Sequence, residues 1–221
     1  MPGGFPWDFT YLDSLSGFCD NRVQIPISLG LKEHGTRVAG VIASGMLFLI
    51  QKEDVELIAK LGFGAYRFSI SWSRIFPDGL GNKINEDGIK YYNNLINALL
   101  ERGVEPYLTL YHWDLPLTLH ESIDGWLSDK IVKYFEVYAE TCFANFGDRV
   151  KHWITFNEPL QTAVNGYAVG IFAPGRSEHP LTEPYLAAHY QLLAHAAAVS
   201  VYNKKFQVTV TLLIPPRAFH Y

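Results

Sequence analysis

A carboxylic acid beside an amide, Asn157-Glu158-Pro159, stands where the short apolar run Val150 to Phe156 ends. Some way upstream the run Tyr107-Leu-Thr-Leu-Tyr111 leads straight into His112-Trp113-Asp114-Leu115-Pro116. An acid at a strand end, walled by aromatic rings, is expected to lose hydration, and its pKa then rises toward a range suited to general acid work. Asn157 offers both a donor and an acceptor for a hydroxyl, and His112 an imidazole for the same task. Trp113 supplies a flat indole wall. The plainer alternative for Glu158 is a structural ion pair, for instance with Arg67 or Arg149. A lone histidine is also a possible zinc ligand, but no second ligand stands near His112 at a suitable spacing, so no metal site is read here.

These residues need elements to hold them. From Gln51 onward helix and strand patterns alternate. A helix is expected over Lys52 to Leu61, with Val55, Ile58 and Leu61 on one face and Gly62 stopping it. Phe63 to Trp72 reads as a buried strand. A helix from about Asn85, stopped by Gly103, carries the stripe Ile89, Tyr92, Ile96, Leu99 and Leu100. Glu105 to Tyr111 is the next strand. The helix opened by Ser128 and Asp129 buries Ile131, Phe135, Tyr138, Cys142 and Phe146, and the strand Val150 to Phe156 follows it. A Gly- and Pro-rich loop then leads to a helix from about Pro184, with the stripe Leu186, Tyr190, Leu193, Ala197 and Val201. Val208 to Ile214 alternates like a further strand.

Strand–helix alternation of this length implies parallel strands. The clusters at Trp72, Trp113 and Glu158 recur at intervals of 41 and 45 residues. Eight such units would need more than about 300 residues, so the expected fold is α/β, a partial (β/α)8 TIM barrel with about half of the barrel present. An open doubly wound sheet is disfavoured because no glycine-rich phosphate loop follows any strand. Three units are expected along the chain: 1–51 outside this pattern, 52–207 the partial barrel, and 208–221 a tail.

Composition narrows the function classes. At 48% hydrophobic and 18% charged residues the chain is globular. A formal charge of −4 gives no basic face for nucleic acid. The only cysteines, Cys19 and Cys142, supply neither a disulfide framework nor a thiolate metal cluster. Val38 to Ile50 is uncharged and mostly apolar, but too short to span a bilayer. The opening Met1-Pro-Gly-Gly-Phe-Pro lacks the basic start and apolar run of a secretory signal, which leans the reading toward the cytoplasm.

Tyr66-Arg-Phe-Ser-Ile-Ser-Trp-Ser-Arg-Ile-Phe-Pro77, Tyr111-His-Trp-Asp-Leu-Pro116 and Thr155-Phe-Asn-Glu-Pro159 resemble the signature segments of glycoside hydrolase family 1, the β-glucosidases, with plant members the best match. Phe146-Gly-Asp-Arg149 and Phe172-Ala-Pro-Gly-Arg176 extend the resemblance, which covers residues 52–207. It implies a (β/α)8 barrel, a small-molecule β-glycoside substrate, retaining hydrolysis and no cofactor. It further implies that Glu158 is the acid/base and that Asn157 and His112 bind sugar hydroxyls. Trp113 would line the glycone pocket, and Arg67 would lie near the nucleophile. The family's Gln-x-Glu-Gly and Thr-Glu-Asn-Gly segments, the second carrying the nucleophile, have no counterpart here, which implies a chain truncated at both ends. The alternative function is therefore a catalytically inactive fragment or weak sugar-binding remnant. His34-Gly-Thr-Arg-Val-Ala-Gly40 resembles the segment around the catalytic histidine of subtilisin-like proteases. No matching serine or aspartate motif accompanies it, so it is read as coincidence.

Overall fold

Three apolar runs, each preceded by a helix-ending glycine and followed by a polar cluster, become strands of one parallel sheet. The computed structural model describes residues 53–207 and the strand Thr211–Leu213. Helix α1 covers residues 53–60, followed by β1 (Ala65–Ser69), α2 (Trp72–Ile75), α3 (Glu86–Glu101) and β2 (Glu105–Tyr111). Next come α4 (Leu117–Ile123), a 3-10 turn (Gly125–Leu127), α5 (Lys130–Phe146) and β3 (His152–Phe156). Helices α6 (Pro159–Tyr167) and α7 (Glu183–Lys205) and the strand β4 (Thr211–Leu213) complete the order. The four strands pair in sequence order, all parallel. This is the expected strand–helix alternation of a partial barrel. The expected segment 1–51, the histidine echo within it and most of the tail lie outside the described residues.

Register decides which side chains share a face. Arg67 lies opposite Tyr107, and Tyr107 opposite His152. Tyr107 and His152 stack at 4.1 Å, so this face carries a polar and aromatic row. The opposite face packs on helices. There α5 presents Ile131, Phe135, Tyr138, Cys142 and Phe146, all buried as the 3.6-residue period requires. Burying each of the large side chains contributes roughly 1.5–3 kcal/mol. Trp72 stacks on Tyr138 at 4.8 Å, and the Tyr138 hydroxyl reaches Ile70 O at 2.9 Å and Leu110 O at 2.8 Å. One side chain thus ties the ends of β1 and β2. At Gly88 a Cβ would sit 2.2 Å from Arg74 O, so the first turn of α3 can seat on α2 only through a residue without a side chain.

Four expectations are corrected. The strand expected over Phe63 to Trp72 is shorter, because Tyr92 Oη takes the Ser71 N–H at 2.8 Å and the chain coils into α2, burying Trp72. Trp72 is therefore a core residue and not part of a strand-end cluster. In α7 the buried face is Ala187, Gln191, Ala194, Ala198, Val201 and Tyr202, whereas Leu186 and Leu193 are 42% and 43% exposed. The true stripe is shifted one residue, about 100° around the helix, because small side chains let α7 lie close to its neighbours. Leu100 and Leu61 are also exposed, at the ends of their helices.

Candidate active site

Asn157 continues the sheet ladder, its N–H donating to Tyr111 O at 2.9 Å. The chain then breaks sharply: Glu158 takes φ 41° and ψ 65°, a left-handed conformation unusual for a residue with a side chain. Glu158 O accepts the N–H groups of Gln161 at 2.9 Å and Thr162 at 3.3 Å, and Pro159 opens α6. The carboxylate makes no cap bond to the helix. It is left available for chemistry at the strand end.

The residues expected to act together do converge. Arg67 Nη2 donates to Asn157 Oδ1 at 2.7 Å and Arg67 Nε to Thr109 Oγ1 at 3.0 Å, so one guanidinium links β1, β2 and β3. With Oδ1 taken, the Asn157 NH2 group is the one left to donate. The Trp113 indole N–H donates to Asn157 O at 3.1 Å, joining the ends of β2 and β3. Trp113 itself sits at φ 66°, so two non-glycine residues in left-handed conformations stand at adjacent strand ends. Strain of this kind persists where surroundings over-determine it, and it collects at functional sites. His112 meets the Trp113 ring edge-on at 5.3 Å, and Phe172 packs at a tilt on the same indole at 4.9 Å.

Electrostatics follow from placement. Partial burial lowers the Arg67 pKa, and the Glu158 charge opposes that shift. His112 is pushed down to about 4, first by crowding of its ring and second by the Arg67 charge, although much of the residue's surface is open. The imidazole is therefore neutral near pH 7 and can both donate and accept. Glu158 is exposed, which corrects the expected loss of hydration: the rings of Trp113 and Phe172 pack on each other, and the described strands leave the carboxyl facing solvent. The ion-pair alternative also finds no support. Arg149 is engaged by Asp148, Asn97 and Asn93, and among the described residues no ion pair to Glu158 forms.

Thr109 was missed by sequence reading. It is fully buried, carries no motif signal, and becomes legible only once register sets it beside Arg67.

A parallel sheet with its polar groups gathered at the C-terminal strand ends is the arrangement of a (β/α) barrel enzyme. The sequence model of Glycosyl hydrolase family 1 matches residues 38–215, and the chain belongs to that family. It is 70% identical to Beta-glucosidase 42 of Arabidopsis thaliana over 71% of this chain and 32% of that protein. Identity to Beta-glucosidase 4 of Oryza sativa subsp. japonica is likewise 70%, with 71% and 32% covered. The chain thus spans about a third of the length of these relatives. The crystal structure of rice Os3BGlu6 beta-glucosidase superposes with a TM-score of 0.72 at 50% identity, covering 76% of this chain and 37% of that one. The beta-glucosidase from Thermotoga maritima in complex with glucoimidazole gives 0.71 at 44% identity, covering 75% and 36%. These neighbours are (β/α)8 barrels, and the chain is part of one. Among the described residues no helix is long and apolar enough to cross a membrane.

Proposed function

We propose that this chain carries the glycone grip and the proton-transferring acid of a retaining β-glucosidase-type O-glycosyl hydrolase. The observation that carries the reading is the linked constellation across three strands: Arg67, within β1, on Asn157, Trp113 on Asn157, and the uncapped Glu158 carboxyl next in sequence. In this reading the Asn157 amide and His112 imidazole hold sugar hydroxyls and the Trp113 ring backs the sugar. Glu158 gives its proton to the glycosidic oxygen as the bond to the anomeric carbon breaks, then takes one from the water that completes hydrolysis. Retention requires a second carboxyl about 5–5.5 Å away to attack the anomeric carbon. A mutant of rice Os3BGlu6 has been solved in covalent complex with Glc, the kind of adduct such an attack produces. No cofactor enters this chemistry.

The test is Glu158→Gln, assayed on aryl and alkyl β-glucosides. Turnover of substrates with poor leaving groups should fall far more than glycosylation by activated aryl glucosides, which need little protonation. Equal losses on both classes would give Glu158 another role. A second reading is sugar binding without turnover. It predicts glucoimidazole binding with no hydrolysis of an aryl β-glucoside.

A further inference from the structure

Residues 168–182, the chain between α6 and α7, take no part in the proposed chemistry, yet they hold a ring against the Trp113 indole. Phe172, Pro174 and Arg176 are partly buried, while Ile171, Ala173, Gly175 and Ser177 are exposed, so alternate residues turn inward. Phe172 brings its ring to 4.9 Å from that of Trp113. The segment is tied down at two places. On α6, Asn165 O accepts the Phe172 N–H at 3.1 Å and Gly166 O accepts the Arg176 N–H at 2.9 Å. A Cβ at Gly166 would stand 2.8 Å from Ala173 O, so the segment lies directly on that helix. At the start of α7, Arg176 Nε donates to Glu183 Oε2 at 2.8 Å and Nη2 donates to Oε1, a two-bond ion pair. Glu183 is 5% exposed, and its own N–H is fixed on His179 O at 3.0 Å.

We propose that Arg176 is a positioning residue of the glycone site: its clamp on Glu183 holds the 172–176 segment on α6 and so keeps Phe172 against Trp113. A carboxylate buried this deeply is stable only when paired. The planar guanidinium fork meets both of its oxygens in one orientation, which fixes Arg176 in direction as well as in place. The Gly175 N–H turns back to Phe172 O at 2.7 Å, so a fixed Arg176 leaves Phe172 little room to move. The indole is also anchored by its N–H bond to Asn157 O at 3.1 Å. Trp113 is thus placed from β3 by Asn157 and from the clamped segment by Phe172. That the indole backs a sugar rests on the functional reading above; the clamp and its hold on the ring do not.

The experiment is residue-resolved hydrogen exchange by NMR on the full chain, with glucoimidazole titration by calorimetry as the second arm. In Arg176→Met, the backbone amides at positions 172, 175 and 176 should exchange about tenfold faster, with α5 and β3 unchanged. The Trp113 indole N–H should quicken with them. Arg176→Lys keeps the charge without the fork and should fall between parent and Arg176→Met. If Arg176→Met does not fold, the double variant Arg176→Met, Glu183→Gln removes the stranded charge and should loosen the same amides. Phe172→Ala leaves the clamp in place, so the Trp113 indole N–H should quicken while the amide at position 176 keeps the parent rate. Glucoimidazole affinity should fall about tenfold in Arg176→Met and in Phe172→Ala, and recover in part in Arg176→Lys. Unchanged exchange at 172–176, or a rise spread equally over α5 and β3, overturns the clamp. Loosened amides with an unchanged Trp113 indole rate, or a loosened indole with undiminished affinity, overturn the positioning role. If the parent chain does not bind glucoimidazole, the functional reading fails while the indole exchange still decides the clamp.

Discussion

Replacing Tyr138 by Phe removes a single oxygen from the place where β1 and β2 are tied together. The hydroxyl proton is shared between Ile70 O at 2.9 Å and Leu110 O at 2.8 Å, and all three residues are fully buried. Water cannot reach the carbonyls once the donor is gone, so the cost is that of leaving a buried acceptor short of a partner, about 1–3 kcal/mol. No cavity term adds to it, because the Phe ring keeps its stack with Trp72 at 4.8 Å and its edge contact with Phe76 at 6.3 Å. At about 2 kcal/mol, Tm should drop by about 4–8 °C for a chain of this size. Urea unfolding of the two proteins should show the midpoint shifted at constant slope. Burial holds the phenol far above its ordinary pKa, so the difference should be flat across neutral pH. A variant within about 0.5 kcal/mol of the parent would refute the reasoning, since both carbonyls would then be satisfied without Tyr138.

Arg67→Met removes the donors to Asn157 and Thr109; allowing for the exposure of Arg67, glucoimidazole affinity should weaken about tenfold by calorimetry, and an unchanged Kd would show that the Asn157 amide is oriented by something else. His112, followed by NMR, should titrate near pH 4; because its folded pKa lies below the unfolded value, any effect on stability appears as pH falls from about 6.5 toward 4, where the unfolded chain binds the proton first. A midpoint near 6.5 would refute the crowding assigned to the ring. Gly88→Ala should destabilise by about 2 kcal/mol or more in urea unfolding, because the new methyl meets the rigid Arg74 carbonyl; a neutral effect would mean that α2 can give way.

Much of the frame was legible because its signals are local. Glycines stopped helices where expected, and the apolar stripe of α5 came out residue for residue. The strands beginning at Glu105 and near Val150 appeared within two residues of their places. His112, Trp113, Asn157 and Glu158 were legible as types at strand ends, whereas Arg67, expected at the end of its strand, lies in the middle of β1. Their partners were not, since Arg67 and Asn157 lie 90 positions apart and meet only through pairing of β1, β2 and β3. Alternation within one strand says which residues share a face, but not which residue of the next strand lies beside them.

The sequence by itself determined element type and order, the parallel sheet, the family, and the residues at the strand ends, because periodicity, helix stops and motifs all act over a few neighbouring positions. Tertiary structure decided the rest. The packing of alanines rather than leucines turned α7 by one residue, and the stack on Tyr138 drew Trp72 into the core. Register put Thr109 and Asn157 under one guanidinium, and the turns after β2 and β3 set the left-handed backbones of Trp113 and Glu158. Each of these outcomes depends on close fit between segments distant in the chain, and no window along the sequence contains both sides of such a contact.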